Sequence, residues 1–199
     1  MSRFDQIRIA ILKDETLWKG WSHVRRIVFD YIRPDDSKVE LEWEVFDRGE
    51  AVAILLYDPQ RRAVVMVRQF RIPVHLMGDH AFLLEVPAGS MEHGEDPAET
   101  VCREAMEETG YQIEKPRHLF SAYASPGAVT EKVHFFFARV HVDHKIAEGG
   151  GLAEEHEDIE ITDVPLEAAL QMIEDGRIMD AKTIMLLQWA ALNPAILSG

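Results

Sequence analysis

At 199 residues, 47% of them hydrophobic, the chain is long enough to build one sizeable core, or one domain with an appendage. Its formal charge of -14, from 21 basic against 35 acidic residues, argues against a nucleic-acid partner, because a phosphate backbone requires a basic face. One cysteine, Cys102, excludes an internal disulfide framework and any multi-cysteine zinc site. The charged opening stretch does not read as a secretory leader, and no apolar run reaches the roughly eighteen residues of a membrane span. A cytoplasmic protein with no membrane partner is expected.

In chain order, residues 23–33 (HVRRIVFDYIR) and 38–47 (KVELEWEVFD) alternate apolar and polar side chains around the turn-forming PDDS, which predicts a hairpin with one buried face. The hairpin belongs to an N-terminal arm, residues 1–50, that carries Trp18, Trp21, Phe29, Tyr31, Trp43 and Phe46. So much aromatic surface on an arm predicts burial against a second subunit, hence a homodimer, with residues 51–199 as the main domain. Residues 51–58 and 61–72 are apolar runs rich in β-branched residues, as expected of central strands covered on both faces. RHLFSAYAS and KVHFFFARVHV predict two more strands, with SPG at 125–127 between them, and PLEAALQMIEDGRI and AKTIMLLQWAAL have helical spacing. The order predicts an α/β domain, a mixed β-sheet sandwiched between helices, with an N-terminal β-hairpin arm.

The stretch GSMEHGEDPAETVCREAMEETGY, residues 89–111, carries the chemistry. Asp96 and Pro97 suit a helix start and Gly110 a left-handed stop, so residues 97–109 should be helical. Ala98, Val101, Cys102, Ala105 and Met106 then form an apolar stripe, and Glu104 and Glu108 project together from another face, flanked by Arg103 and Glu107. A Glu-rich helix is most often a solvated acidic face. Here Glu95 adds a carboxylate at the helix entry and no lysine lies in the helix to neutralise the group. Clustered carboxylates are hard oxygen ligands that suit Mg²⁺, or Mn²⁺ as a substitute.

Gly89, five residues, Glu95, seven residues, then Arg103, Glu104, Ala105, Glu107, Glu108, Gly110 and Tyr111 resemble the Nudix box, G-x5-E-x7-R-E-U-x-E-E-x-G-U, at full spacing. Ala105 is smaller than the residue usual at that position. VRQFR, EVPAG, the SPG loop and GGGLAEEHEDIE extend the likeness to the nucleoside-diphosphate-sugar branch of Nudix hydrolases, over about residues 15–195. The resemblance implies the Nudix fold and metal-assisted hydrolysis of a pyrophosphate bond to a nucleoside monophosphate and a sugar phosphate. It implies that Glu104, Glu108 and the Ala88 carbonyl ligate the cation, that Glu107 assists, and that Gly89, Glu95, Arg103 and Gly110 hold loop and helix in register. The general base in this branch lies on a later loop, which aligns Glu157 with that position, as base and further metal ligand, and leaves Glu155 as the fallback. The loop's glycines predict a segment that can close over substrate.

The same likeness gives Arg71 a forked contact to substrate phosphates. Arg68 is its rival, since strand alternation sends the two to opposite sides. Glu131 and Lys182 match substrate contacts, although Lys182 equally suits a salt bridge at a helix start, and Trp21 and Trp43 are candidates to stack on the base or to pack. DRG at 47–49, the triple glycine and RIMDAKTIMLL look closer to the GDP-mannose enzymes, and EVPAG to the ADP-ribose enzymes. Glu42 and Trp43 replace a basic pair of the GDP-mannose enzymes, which places ADP-ribose slightly ahead. A non-catalytic nucleotide-sugar sensor is the alternative from another class; the loss of a box carboxylate that it predicts is not seen. His141 and His144 read as surface histidines, and no nucleophile elbow, Walker loop or H-E-x-x-H motif is present.

Overall fold

The computed structural model describes residues 2–152, 154 and 157–197; Glu155 lies outside them. The chain divides into two compact units, one running to Gly49 and taking in Tyr123–Lys132, the other made of Glu50–Ala122 and the residues from Val133 onward.

The smaller unit is an antiparallel sheet of β1 (Arg8–Lys19), β2 (His23–Ile32) and β3 (Lys38–Asp47), in that order. The expected hairpin is β2–β3, paired from His23↔Asp47 to Ile32↔Lys38. Strand β1 was not legible, because its register on β2 slips between Ile11 and Lys13 and again between Thr16 and Trp18. Each slip moves the side chains to the other face, so the two-residue alternation never runs long enough to show. In this unit residues 123–132 form the tip of a later hairpin, where the Phe46 N–H donates to the Ala128 carbonyl at 2.8 Å and the Thr130 N–H to the Phe46 carbonyl at 3.0 Å. Asp30 alone is buried among the residues of the three strands, and Lys38 pairs with it at 2.6 Å.

The larger unit is built on β4 (Glu50–Asp58), β5 (Ala63–Phe70), β6 (Phe82–Glu85), β7 (Ala88–Ser90), β8 (Arg117–Tyr123), β9 (Lys132–Arg139) and β10 (Glu160–Pro165). Their order is β10-β5-β4-β9-β8, with β6 paired to β5 and β7 to β4. Strands β4 and β10 run antiparallel to β5. The Val140 N–H reaches the Tyr57 carbonyl at 2.9 Å, so β9 and β4 end side by side and run parallel, making the sheet mixed. Among the described residues four α-helices complete the unit: α1 (Ile72–Leu76), α2 (Pro97–Thr109), α3 (Leu166–Glu174) and α4 (Ala181–Leu192).

Alternation along β4 explains the layering. Ala53, Leu55 and Tyr57 join a cluster with Phe135, Phe137, Ala169, Leu186 and Leu187, on the α3–α4 side. Val52, Ile54 and Leu56 join Val101, Ala105, Tyr111 and Phe136, on the α2 side. A strand covered on both faces has no polar face to alternate with, which is why residues 51–58 read as one apolar run. No described helix is long and apolar enough to cross a membrane.

Candidate active site

Helix α2 starts where the sequence predicts. Asp96 accepts the N–H groups of Ala98 and Glu99 at 2.8 and 3.1 Å, and Gly110, at φ 75°, closes the last turn on the Met106 carbonyl. Ahead of it Glu95 accepts the Glu92 N–H at 2.8 Å and the Thr100 hydroxyl at 3.2 Å, binding the entry loop to the first turn. Arg103 pairs with Glu104 at 2.9 Å and with Glu107 at 3.0 Å.

Val101 and Ala105 anchor α2 in the core, and the adjoining face presents Glu104 and Glu108 to strand β7. Glu108 is 2% exposed and accepts the Ala88 N–H at 3.0 Å. Glu104 lies so close to β7 that a side-chain carbon on Gly89 would fall 1.9 Å from its carboxyl carbon. Any side chain at the head of the box would displace the Glu104 carboxylate, so glycine there serves space rather than a turn.

Burial pushes the carboxyl of Glu108 up to about 8, with the charges of Glu104 and Glu157 adding to the rise and the Ala88 N–H and Arg71 opposing it. Burial likewise raises Glu104 to about 7, where the pairing with Arg103 opposes it and Glu107 and Glu157 reinforce it.

Glu157 comes to these two from the far side of the chain, and the triple glycine explains how. The N–H groups of Gly150 and Gly151 donate to the carbonyls of Glu108 and Glu107 at 2.9 and 3.1 Å, satisfying the C-terminal turn of α2. A side-chain carbon on Gly149 would fall 2.5 Å from the Thr109 carbonyl carbon, and one on Gly151 2.6 Å from Cβ of Glu157. Gly149 and Gly151 are thus required for close approach, and all three glycines have positive φ, 74°, 104° and 82°. Glu157 accepts the Leu152 N–H at 3.1 Å.

Arg71 is not a strand residue, since β5 ends at Phe70, and it caps α1 instead. Its guanidinium grips Glu85 at 2.8 and 2.9 Å. Lys182, in the first turn of α4, reaches the same carboxylate at 2.5 Å and Asp180 at 2.9 Å. Asp180 also accepts the hydroxyl of Thr183, whose oxygen takes the Val86 N–H at 2.9 Å, so the start of α4 is fixed to the bend before β7. Arg68 points elsewhere, 3.9 Å from Glu160. The structure thus draws Glu104, Glu107, Glu108, Ala88, Gly89, Arg103 and Glu157 into one neighbourhood, with Arg71 in the field of Glu108.

Trp21, Trp43 and Glu131 belong to the smaller unit. Trp21 is open on its surface with the Arg48 guanidinium 4.6 Å over its ring, Trp43 sits edge-on to Phe29 at 5.8 Å, and the Glu131 carbonyl takes the Ala124 N–H. Glu42 pairs with Arg26 at 3.2 Å. Glu85 is the residue that the sequence reading missed; a lone acid in the apolar run FLLEVP, which must be buried and therefore paired, was its signal.

Among the described residues no three His, Cys, Asp or Glu side chains close on one ion position, and each carboxylate is turned to a protein donor: Glu104 to Arg103, Glu108 to Ala88 and Glu157 to Leu152. The donor set nevertheless fits a hard divalent cation. It is all oxygen and largely desolvated, and burial, which raises the pKa of Glu104 and Glu108, disfavours their charge until a cation offsets it.

A family profile described as NUDIX domain matches residues 47–187. The GDP-mannose pyrophosphatase of Yersinia enterocolitica is 43% identical over 188 residues, covering 94% of this chain and 97% of that protein. The protein of that name from Klebsiella pneumoniae is 40% identical over 194 residues, covering 97% and 96%. A crystal structure described as an ADP compounds hydrolase superposes with a TM-score of 0.71 over 92% of this chain and 95% of its own, at 20% identity, a likeness of fold.

Proposed function

This chain belongs to the Nudix family of hydrolases, and from that premise we propose that it hydrolyses the pyrophosphate bond of a nucleoside-diphosphate sugar, giving a nucleoside monophosphate and a sugar phosphate. Nudix hydrolases generally use divalent metal ions. The observation that carries the reading is the pair of carboxylates packed against β7, Glu108 buried and Glu104 largely so. We assign them, with the Ala88 carbonyl, to hold Mg²⁺, for which Mn²⁺ can substitute. The cation supplies charge neutralisation at the phosphoryl oxygens and lowers the pKa of attacking water.

The protein's own groups do the rest. Glu157, held by Gly149–Gly151 against the end of α2, takes the proton of the attacking water and serves as a further cation ligand, with Glu107 assisting. Glu95 and Arg103 fix the loop and helix that carry the ligands, and Gly89 and Gly110 allow their close packing. Arg71 and Lys182 hold the substrate phosphates, and Glu131, Trp21 and Trp43 are assigned to the sugar and base. The exposed apolar sheet of the smaller unit is assigned to a second copy of the chain, as a homodimer.

Between the two substrates, the sequence alone placed ADP-ribose narrowly first. The relatives at 40% identity and above, named for GDP-mannose, weigh for that sugar. The test is a panel of nucleotide sugars with Mg²⁺ and identified products, comparing kcat/KM for GDP-mannose and ADP-ribose. A preference of about tenfold assigns the substrate. Failure to cleave either would refute the reading.

A further inference from the structure

Glu85 ends β6 at 1% exposure, and it lies outside the acidic helix that supplies the assigned cation ligands. Both of its oxygens are engaged. Oε1 accepts Nε of Arg71, and Oε2 accepts both Nη2 of Arg71 and Nζ of Lys182. One carboxylate therefore joins the end of β6, the cap of α1 and the first turn of α4. Burial alone would drive its pKa up, but the Arg71 hydrogen bonds and the Lys182 charge outweigh that and hold it below the ordinary carboxylate range.

As a mere staple this arrangement is poor design. Desolvating a carboxylate and two cations costs several kcal/mol per ion before their attraction is counted, and apolar residues of similar volume usually tie elements together as well or better. A gripped guanidinium has another use. With Nε and one Nη2 hydrogen on Glu85, its plane is fixed, and its other N–H groups keep a set direction for an anion. Lys182 is pinned likewise between Glu85 and Asp180, so neither cation has to be ordered when a substrate arrives.

We propose that Glu85 is a positioning residue, whose buried carboxylate holds Arg71 and Lys182 in register as a clamp on the diphosphate of the nucleotide sugar. The inference rests on the reading of Arg71 and Lys182 as substrate contacts. It acts through those two side chains alone, which sets its test.

In steady-state kinetics on the cleaved nucleotide sugar at saturating Mg²⁺, Arg71→Ala and Lys182→Ala should each lower kcat/KM by about tenfold or more, the usual scale for losing a charge-assisted phosphate contact. Glu85→Gln should lower it by about tenfold through kcat, with KM unchanged or lower, because two cations freed of their anion still attract the ground state but no longer match the transition state. In the Arg71→Ala, Lys182→Ala background, adding Glu85→Gln should cost no more than about twofold further, since nothing remains for it to orient. A Glu85→Gln loss that persists in full in that background, or wild-type kinetics for Glu85→Gln alone, would overturn the proposal and leave the contacts standing. Wild-type kcat/KM in both Arg71→Ala and Lys182→Ala would instead refute the contact reading, and the clamp with it. If Glu85→Gln does not fold, Glu85→Asp, whose shorter arm releases one cation, takes its place; its smaller loss should vanish in the double background, and persistence there overturns the proposal.

Discussion

Glutamine at position 108 keeps the shape of the side chain and an oxygen for the Ala88 N–H, while removing a charge that burial disfavours. Glu108→Gln should therefore lose about a hundredfold or more in turnover, with a melting temperature held or raised above neutral pH. A variant as fast as wild type would end the assignment of Glu108 to the cation. The same carboxyl sets a pH dependence. Its folded pKa of about 8 lies above the ordinary 4.5, so the folded state binds the proton more tightly; the stabilisation is complete below 4.5 and is lost as pH rises through about 8. Glu104 contributes with the same sign up to about 7. Metal-stripped protein should melt at falling temperature between about pH 5 and pH 8.5, Glu108→Gln should remove much of that slope, and Mg²⁺ should raise the melting temperature most at the alkaline end, where it meets no competing proton. A flat or rising profile without metal would show that the folded carboxylates stay ionised. Glu104 and Glu108 were legible because helical spacing alone puts them together. Glu85 was not, because its partners lie 14 and 97 positions away, and no local pattern records a contact that the tertiary fold makes.

Helix α2 could be read to the residue because both of its ends carry their own chemistry, Asp96 at the start and Gly110 at the stop. Strands β6, β7 and β10, of four, three and six residues, were missed because alternation needs more length to stand out from chance. The glycine loop was recognised, but the close packing of Gly149 and Gly151 was not legible, since an invisible close contact and an open hinge call for the same residue. The distinction can be measured. Gly149→Ala would set a methyl 2.5 Å from the backbone of Thr109 and push the strap off α2, carrying Glu157 with it. It should cost about tenfold or more in kcat. Gly94→Ala meets nothing within 4 Å at a similar φ of 89°, so it bears backbone strain alone and should keep most of the activity. Equal losses in the two variants would mean that strain, and not the strap, matters. Glu157→Gln should slow the chemical step with metal affinity largely kept. Retained turnover there would move the base to another residue.

At the scale of the whole molecule, the smaller unit lacks a core of its own. Its three strands bury Asp30 and no apolar side chain, while Ile9, Ile11, Leu12, Trp18 and Trp43 stand exposed, Trp18 by 66%. A small sheet is stable in water only when an apolar face is covered, and each large side chain left open forgoes about 1.5–3 kcal/mol of burial. The aromatic content of residues 1–50 made this demand legible. The inclusion of residues 123–132 in the same unit was not, since nothing near them in the sequence pairs with β3. A second copy of the chain would offer an identical apolar sheet and close the assembly by twofold symmetry. Sedimentation of the full chain at micromolar concentration should give twice the 22.7 kDa mass. Ile11→Asp combined with Trp18→Asp should weaken association by about a hundredfold or more, because each buries a charge where an apolar anchor stood. A monomeric wild-type chain at that concentration would overturn the assignment. A dimer indifferent to both substitutions would place its interface on other residues.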